Sequence, residues 1–247
     1  MVSTVYLVSG ANRGIGLGIV TVLVARPEVV VFAGARNPAA ASDLKSLRSK
    51  YPGKLHLVKL ISADRSDNVA AIEEIKRVAG KLDVIIANAG IAKFFGSVLS
   101  TPLDEMREHY EVNVIGTTVL FQSAWPLLKE STKPKFAIIS SIGGSITEGA
   151  SLPAGLLAYG ASKAAANFLA MKLHSEHPEL VVVDIHPGSV ESDMGAFAVE
   201  NDDVIREGMP LITIEQSVSG VLAVLDAAKR EEEGPKLIGY DGAIIPW

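Results

Sequence analysis

The sequence predicts an α/β protein: a single doubly wound parallel sheet with helices on both faces. Short β-branched runs recur along the chain, continuous rather than alternating, as strands buried on both faces read. Helical patterns separate them, and strand–helix alternation calls for right-handed crossovers and a parallel sheet. A glycine-rich turn, Ser9–Gly16, joins the first strand to the first helix.

The expected strands are Val5–Ser9, Val29–Ala33, Leu55–Leu60, Leu82–Ala87, Phe136–Ser140, Leu180–Ile185 and Lys236–Ile238. Between the first two lies a helix over Ile15–Ala25. Ala39–Lys50 carries Leu44 and Leu47 one turn apart. Asp67–Ala79 places Val69, Ile72, Ile75 and Val78 on one face, and Gly80 stops it. Pro102 suits the first position of a helix that runs past Asn113. Trp125-Pro126 then suggests a kink or break. Ala158–Glu176 and Glu215–Arg230 complete the helices. No repeat, linker or composition shift divides residues 1–247, so one domain is expected, with residues 191–213 as a substrate lid.

Composition narrows the function. With 247 residues, 48% of them hydrophobic, the chain can bury a large core. It has no cysteine, which removes disulfides, thiolate metal sites and cysteine nucleophiles. A net charge of −5 without basic runs argues against nucleic acid. No apolar stretch has membrane-spanning length, the N-terminal residues lack a signal-peptide pattern, and no zinc spacing occurs. A cytoplasmic protein without nucleic-acid, membrane or metal partners is expected.

The glycine turn has the spacing G-x-x-x-G-x-G. Gly10 permits a tight turn, Gly14 lets backbone approach a pyrophosphate, and Gly16 lets the helix pack close to the sheet. With Asn12, Arg13 and Ile15 they line a phosphate cradle at a helix N-terminus. Arg36 follows the second strand, where an acidic residue would hold a ribose 2′-hydroxyl. A guanidinium there grips a 2′-phosphate instead, and Arg13 can clamp the same group, so NADP(H) is the expected cofactor.

Tyr159 and Lys163 lie four residues apart on one helix face. An ammonium beside a phenol is expected to lower its pKa toward the working range of an acid–base group. The glycine turn, Asn88-Ala89-Gly90, Asn113, Ser140-Ser141, Tyr159-x-x-x-Lys163 and Pro187-Gly188 occur here in that order. In this the chain resembles the short-chain dehydrogenase/reductase family, a Rossmann-type fold. Its ending, Tyr240–Trp247, is similar to the C-factor-like, fungal ketoreductase branch.

The resemblance implies roles residue by residue. Tyr159 is the acid–base group, Lys163 tunes it and binds the nicotinamide ribose, Ser141 polarises the carbonyl, and Asn113 supports a proton relay. Asn88, Ala89 and Gly90 line the adenosine-side ribose, and Asp64 contacts adenine or, on its own terms, caps a helix. Pro187, Gly188 and Val190 wall the nicotinamide, with Ser192 near its carboxamide. Ala87 stands where the family has a first asparagine, Ser192 where it has threonine. Ser140 competes with Ser141, which fits Ser-x-x-Gly better. The interval to Tyr159 is longer than the family's, and the excess falls in Ser145–Leu157.

Other chemical-looking residues read as structural. His174 and His177 suit a helix C-terminus as imidazolium. Arg230-Glu231-Glu232-Glu233 reads as a solvated helix end. Ala161, Ala164 and Ala165 offer a small-residue face for a homodimer. The expected activity is NADPH-dependent reduction of an apolar, aromatic ketone or aldehyde, or the reverse oxidation. Phe94, Phe95, Leu152, Leu156, Phe197, Val199, Ile205 and Met209 would line that pocket. The alternative is a non-catalytic NADP(H)-sensing protein on the same fold.

Overall fold

A computed structural model describes residues 3–247. Its strands are β1 (Thr4–Val8), β2 (Val29–Ala35), β3 (Leu55–Lys59), β4 (Val84–Ala87), β5 (Lys135–Ile139), β6 (Val181–His186), β7 (Leu237–Gly239) and β8 (Ile244–Ile245). They form one sheet in the order β3-β2-β1-β4-β5-β6-β7-β8. All neighbours are parallel except β7 and β8. Chain direction across the sheet reverses between β1 and β4, and ligands of open α/β sheets bind at the carboxyl end of such a switch point.

The helices are α1 (Gly14–Ala25), α2 (Ser42–Lys50), α3 (Arg65–Ala79), α4 (Leu103–Tyr110), α5 (Gly116–Leu128), α6 (Leu157–Glu176), α7 (Asp193–Asn201), α8 (Asp203–Gly208) and α9 (Ile214–Ala227). They cover both faces. Ile19, Leu23, Leu44, Val218 and Leu222 pack on Val8, Val31, Ile86 and Ile185. On the opposite face Ile72, Ile75, Leu120, Phe121 and Leu173 pack on Leu7, Phe32, Ile85 and Phe136. Each fully buried Leu, Ile or Phe contributes about 1.5–3 kcal/mol before entropy, so the two layers hold the sheet rigid under its loops.

Several elements differ from expectation. β8 is a two-residue antiparallel partner of β7 that no periodicity marks. The helix expected from Pro102 begins at Leu103, with Pro102 as its N-cap, and passes through a π turn over Glu111–Ile115 that carries Asn113. Trp125-Pro126 does not break its continuation, which runs to Leu128 with Phe121, Ala124, Leu127 and Leu128 buried. Packing of that face outweighs the one backbone bond that Pro126 forgoes. The expected Ala39–Lys50 helix is a 3-10 turn at Pro38–Ala40 followed by α2.

The C-terminal expectations are corrected too. α9 stops at Ala227, so Arg230 is not part of a solvated helix end. Its guanidinium donates to the carbonyls of His174 (2.8 Å), Leu180 (2.9 Å) and His177 (3.2 Å). Arg230 thereby supplies the cation at the end of α6. Burial and that guanidinium push the His174 imidazole down, the opposite of the imidazolium expected. The His177 ring packs on Trp125, centroids 4.2 Å apart.

Candidate active site

The cradle forms where β1 turns into α1. Gly10 (φ +62°) and Gly14 (φ +54°) adopt the left-handed region that glycine tolerates. A Cβ on Gly16 would overlap the Gly10 carbonyl oxygen and come within 2.6 Å of Asn88 Nδ2. A Cβ on Gly10 would lie 2.9 Å from Ala89 Cα. Arg13 precedes α1 without a side-chain cap bond, and the first turn has no acidic residue. The first N–H groups of α1 therefore have neither a capping side chain nor an acidic neighbour, which fits a pyrophosphate.

The turn after β4 is clipped to this cradle. Ser9 Oγ accepts from the N–H groups of Asn88 and Ala89, both at 3.0 Å. Asn88 Nδ2 donates to the carbonyls of Ser9 (3.0 Å) and Gly10 (3.1 Å). The amide nitrogen of Asn88 is thus committed to backbone. Asp64 Oδ1 caps α3 through the Asp67 N–H (3.0 Å) and takes the Ser66 hydroxyl (2.7 Å). Those bonds hold its carboxyl below the usual range.

Two arginines differ in setting. Arg36 is exposed at the end of β2. Arg13 is ion-paired with Asp193 at the start of α7, so the guanidinium expected to clamp a phosphate holds the other rim of the cleft. Both groups are exposed, and such a pair is worth less than ~1 kcal/mol, weak enough to exchange partners.

The chemical groups meet over β4, β5 and the start of α6. A Cβ on Gly90 would stand 3.2 Å from Asn113 Oδ1 and 3.6 Å from Lys163 Nζ. A Cβ on Gly143 would stand 3.4 Å from Ser141 Oγ and 3.7 Å from Tyr159 Cδ1. Asn113 Oδ1 accepts from Ile91 N (2.8 Å), while its Nδ2 donates to Ile91 O (3.0 Å) and Ser162 Oγ (2.9 Å). The π turn thus fastens the loop after β4 to α6. Lys163 Nζ donates to Ile139 O (2.7 Å) and lies 5.7 Å from the centre of the Tyr159 ring.

The two serines separate cleanly. Ser140 is buried and donates to Asn167 Oδ1, a packing role. Ser141 opens the following turn, where its Oγ accepts from Gly143 N (3.0 Å) and keeps its own proton available. His186 Nδ1 accepts from Ile142 N (3.2 Å). Burial pushes the His186 imidazole down to about 4, so it is neutral and holds this turn in place.

The electrostatics overturn one expectation. Burial pushes the Tyr159 phenol above its ordinary value, with Ser141 pulling the other way. Lys163 does not pull the phenol down, because that ammonium points to Ile139 O and is itself pushed down to about 8 by burial. A residue absent from the sequence reading explains part of this balance. Asp184 on β6 is fully buried, and its carboxyl is raised to about 8 by that burial, against the pull of Lys163. Neither of its oxygens has a hydrogen-bond partner among the described residues.

Beyond β6, Ser217 Oγ donates to Pro187 O (2.6 Å), and Gly188 (φ +85°) abuts Ile212 and Tyr240. Ser192 Oγ caps α7 through Gly195 N (3.2 Å) and donates to Val190 O (3.3 Å). Pro187, Gly188, Val190 and Ser192 thus form a fixed wall between β6 and α7. Among the described residues no cluster of metal-ligating side chains occurs, and no helix is long and apolar enough to cross a membrane.

A glycine cradle at the switch point, beside a hydroxyl, a phenol and a buried lysine, defines an oxidoreductase acting on CH–OH and C=O groups. Comparison with known proteins agrees. The family model described as short chain dehydrogenase matches residues 4–203. A norsolorinic acid ketoreductase of Dothistroma septosporum is 39% identical, covering 99% of this chain and 92% of the relative. A second, from Emericella nidulans, is 37% identical over 99% of this chain and 94% of its own. The NADPH-bound carbonyl reductase from chicken fatty liver superposes with a TM-score of 0.86 at 32% identity, covering all of both chains. The chain belongs to the short-chain dehydrogenase family.

Proposed function

We propose that the protein is an NADPH-dependent carbonyl reductase for apolar, aromatic ketones or aldehydes. The convergence of Ser141 and Tyr159 around Gly143, next to Lys163 and Asn113 around Gly90, carries this reading. Gly10, Asn12, Gly14, Ile15 and Gly16 would hold the pyrophosphate of NADPH, and Arg36 with Arg13 its 2′-phosphate. Lys163 would bind the nicotinamide ribose, and Pro187, Gly188 and Val190 would wall the nicotinamide. Bound there, the cofactor supplies the hydride. The NADPH in the chicken carbonyl reductase and the ketoreductase names of the fungal relatives support this choice.

The residues then divide the work on oxygen. The Ser141 hydroxyl donates a hydrogen bond to the carbonyl oxygen and stabilises the alkoxide charge that develops. Tyr159 Oη transfers its proton to that oxygen, completing the alcohol. The tyrosinate left behind is stabilised by the Ser141 hydroxyl, the group that pulls the phenol down. A phenol held neutral by burial is loaded for this direction, since reduction needs a proton donor. Phe95 and Phe197, ring centres 5.9 Å apart, bring the loop after β4 against α7 and give the pocket an aromatic wall. Residues 191–213 act as the substrate lid. A homodimer would form through the α6 face with Ala161, Ala164, Ala165 and the 70% exposed Phe168.

NADPH oxidation against a ketone panel tests the proposal. Bulky aromatic ketones are expected to be far better substrates than small charged keto acids; the reverse order refutes the apolar pocket. Tight NADPH binding without turnover of any carbonyl favours the sensing protein instead.

A further inference from the structure

Three segments distant in sequence, 95–96, 155–156 and 197–205, are tied together, and one side chain joins two of them. Asp202 sits between α7 and α8. Its Oδ1 accepts from Ile205 N (3.0 Å), capping α8. Its Oδ2 accepts from Gly155 N (2.7 Å), 47 positions away in the segment leading into α6. Gly155 O in turn accepts from Gly96 N (2.9 Å), and Leu156 forms a parallel bridge with Gly96. A Cβ on Gly155 would overlap Gly96 N and approach Gly96 Cα to 2.8 Å. The contact chain runs from α7/α8 through Gly155 to Gly96, next to the Phe95–Phe197 contact.

We propose that Asp202 is a positioning residue that latches the lid to the pocket rim and thereby sets selectivity for bulky substrates. Gly155 stands four residues before Tyr159, so the latch fixes the wall nearest the phenol. A carboxylate accepting two backbone N–H groups makes the stronger class of hydrogen bond, suited to holding a mobile segment against a scaffold. A substrate large enough to touch Phe95, Leu156 and Phe197 needs that wall in place. A small carbonyl compound, reached only by Ser141 and Tyr159, does not. This inference rests on the carbonyl reductase reading, and its test also has a readout that does not require turnover.

Asp202→Ser separates the two bonds: serine is a good N-cap, but too short to reach Gly155 as well. Expected for Asp202→Ser is a KM for a bulky aromatic ketone raised about tenfold, the loss of one charge-assisted bond. Its kcat, its Kd for NADPH and its KM for a small aliphatic ketone should change less than about twofold. Asp202→Ala, which loses the cap as well, should show the same KM effect with a lower Tm. Equal KM changes for bulky and small ketones, or none, overturn the latch. Hydrogen exchange of the NADPH-bound protein gives the second readout. Faster exchange at 152–157 and 193–208 in Asp202→Ser is expected, and wild-type rates there overturn the latch. If no carbonyl compound is turned over, the reductase reading fails while exchange still decides the latch.

Discussion

Replacing Asp184 by asparagine removes a titratable carboxyl from the interior while keeping its shape. The carboxyl is fully buried without a hydrogen-bond partner among the described residues, and burial lifts it to about 8. In the unfolded chain it would titrate near ~3.9. Between those values the folded protein holds a proton that the unfolded chain has lost. Stability from this group is therefore greatest at acid pH and falls as pH rises toward 8, by ~1.4 kcal/mol per pH unit. Lys163 behaves in the opposite sense. Its buried ammonium is penalised below about 8, and the penalty disappears as pH rises toward ~10.4. Together the pair produces a stability minimum near pH 8. Asp184→Asn removes the acid-side slope, so relative to the parent it should gain about 3 kcal/mol between roughly pH 5 and 7. For a chain of this size that is about 5–10 °C in Tm. Thermal unfolding at several pH values measures it. The same substitution strips Lys163 of the carboxylate that raises it, so the alkaline limb of kcat/KM should move to lower pH. A Tm difference independent of pH, with an unmoved alkaline limb, refutes the coupling.

Four further substitutions have defined outcomes. Ser141→Ala should lower kcat by roughly 10²–10³, as loss of an oxyanion donor does, whereas Ser140→Ala should chiefly lower Tm, since it strips the Asn167 amide oxygen of a buried partner. Gly16→Ala forces a methyl into the Gly10 carbonyl and Asn88, so Tm should fall by the equivalent of about 1–3 kcal/mol and NADPH binding should weaken. Arg36→Asp should raise the Kd for NADPH roughly 10–100-fold relative to NADH, and an unchanged ratio in titrations would remove Arg36 from the 2′-phosphate site.

The sheet and the cradle were readable because their signals are local. Apolar β-branched runs, helical spacing and three glycines in eight residues each depend on near neighbours. What escaped depends on distant or weak signals. The two residues of β8 are too few for a period, and a π turn carries no residue signature that separates Asn113 from an ordinary helical position. Asp184 hides in Val181–His186, where continuous burial gives no alternation to expose an inward carboxylate. Arg13 was readable as a cation, yet its partner lies 180 positions away. Ser140 and Ser141 share a sequence context, and only the Asn167 contact on one and the Gly143 turn on the other divide their roles. The expected acidification of Tyr159 failed for a similar reason. Helical spacing brings Lys163 near, but the Ile139 carbonyl decides where its ammonium points.

The account rests on Tyr159 as the proton donor to a carbonyl oxygen, and Tyr159→Phe tests it most directly. NADPH oxidation with a reducible aromatic ketone should fall at least ~10²-fold, the contribution of a positioned general acid. Kd for NADPH and Tm should stay near the parent values. Turnover that persists within a few fold of the parent, in a folded variant that binds NADPH normally, would contradict the mechanism.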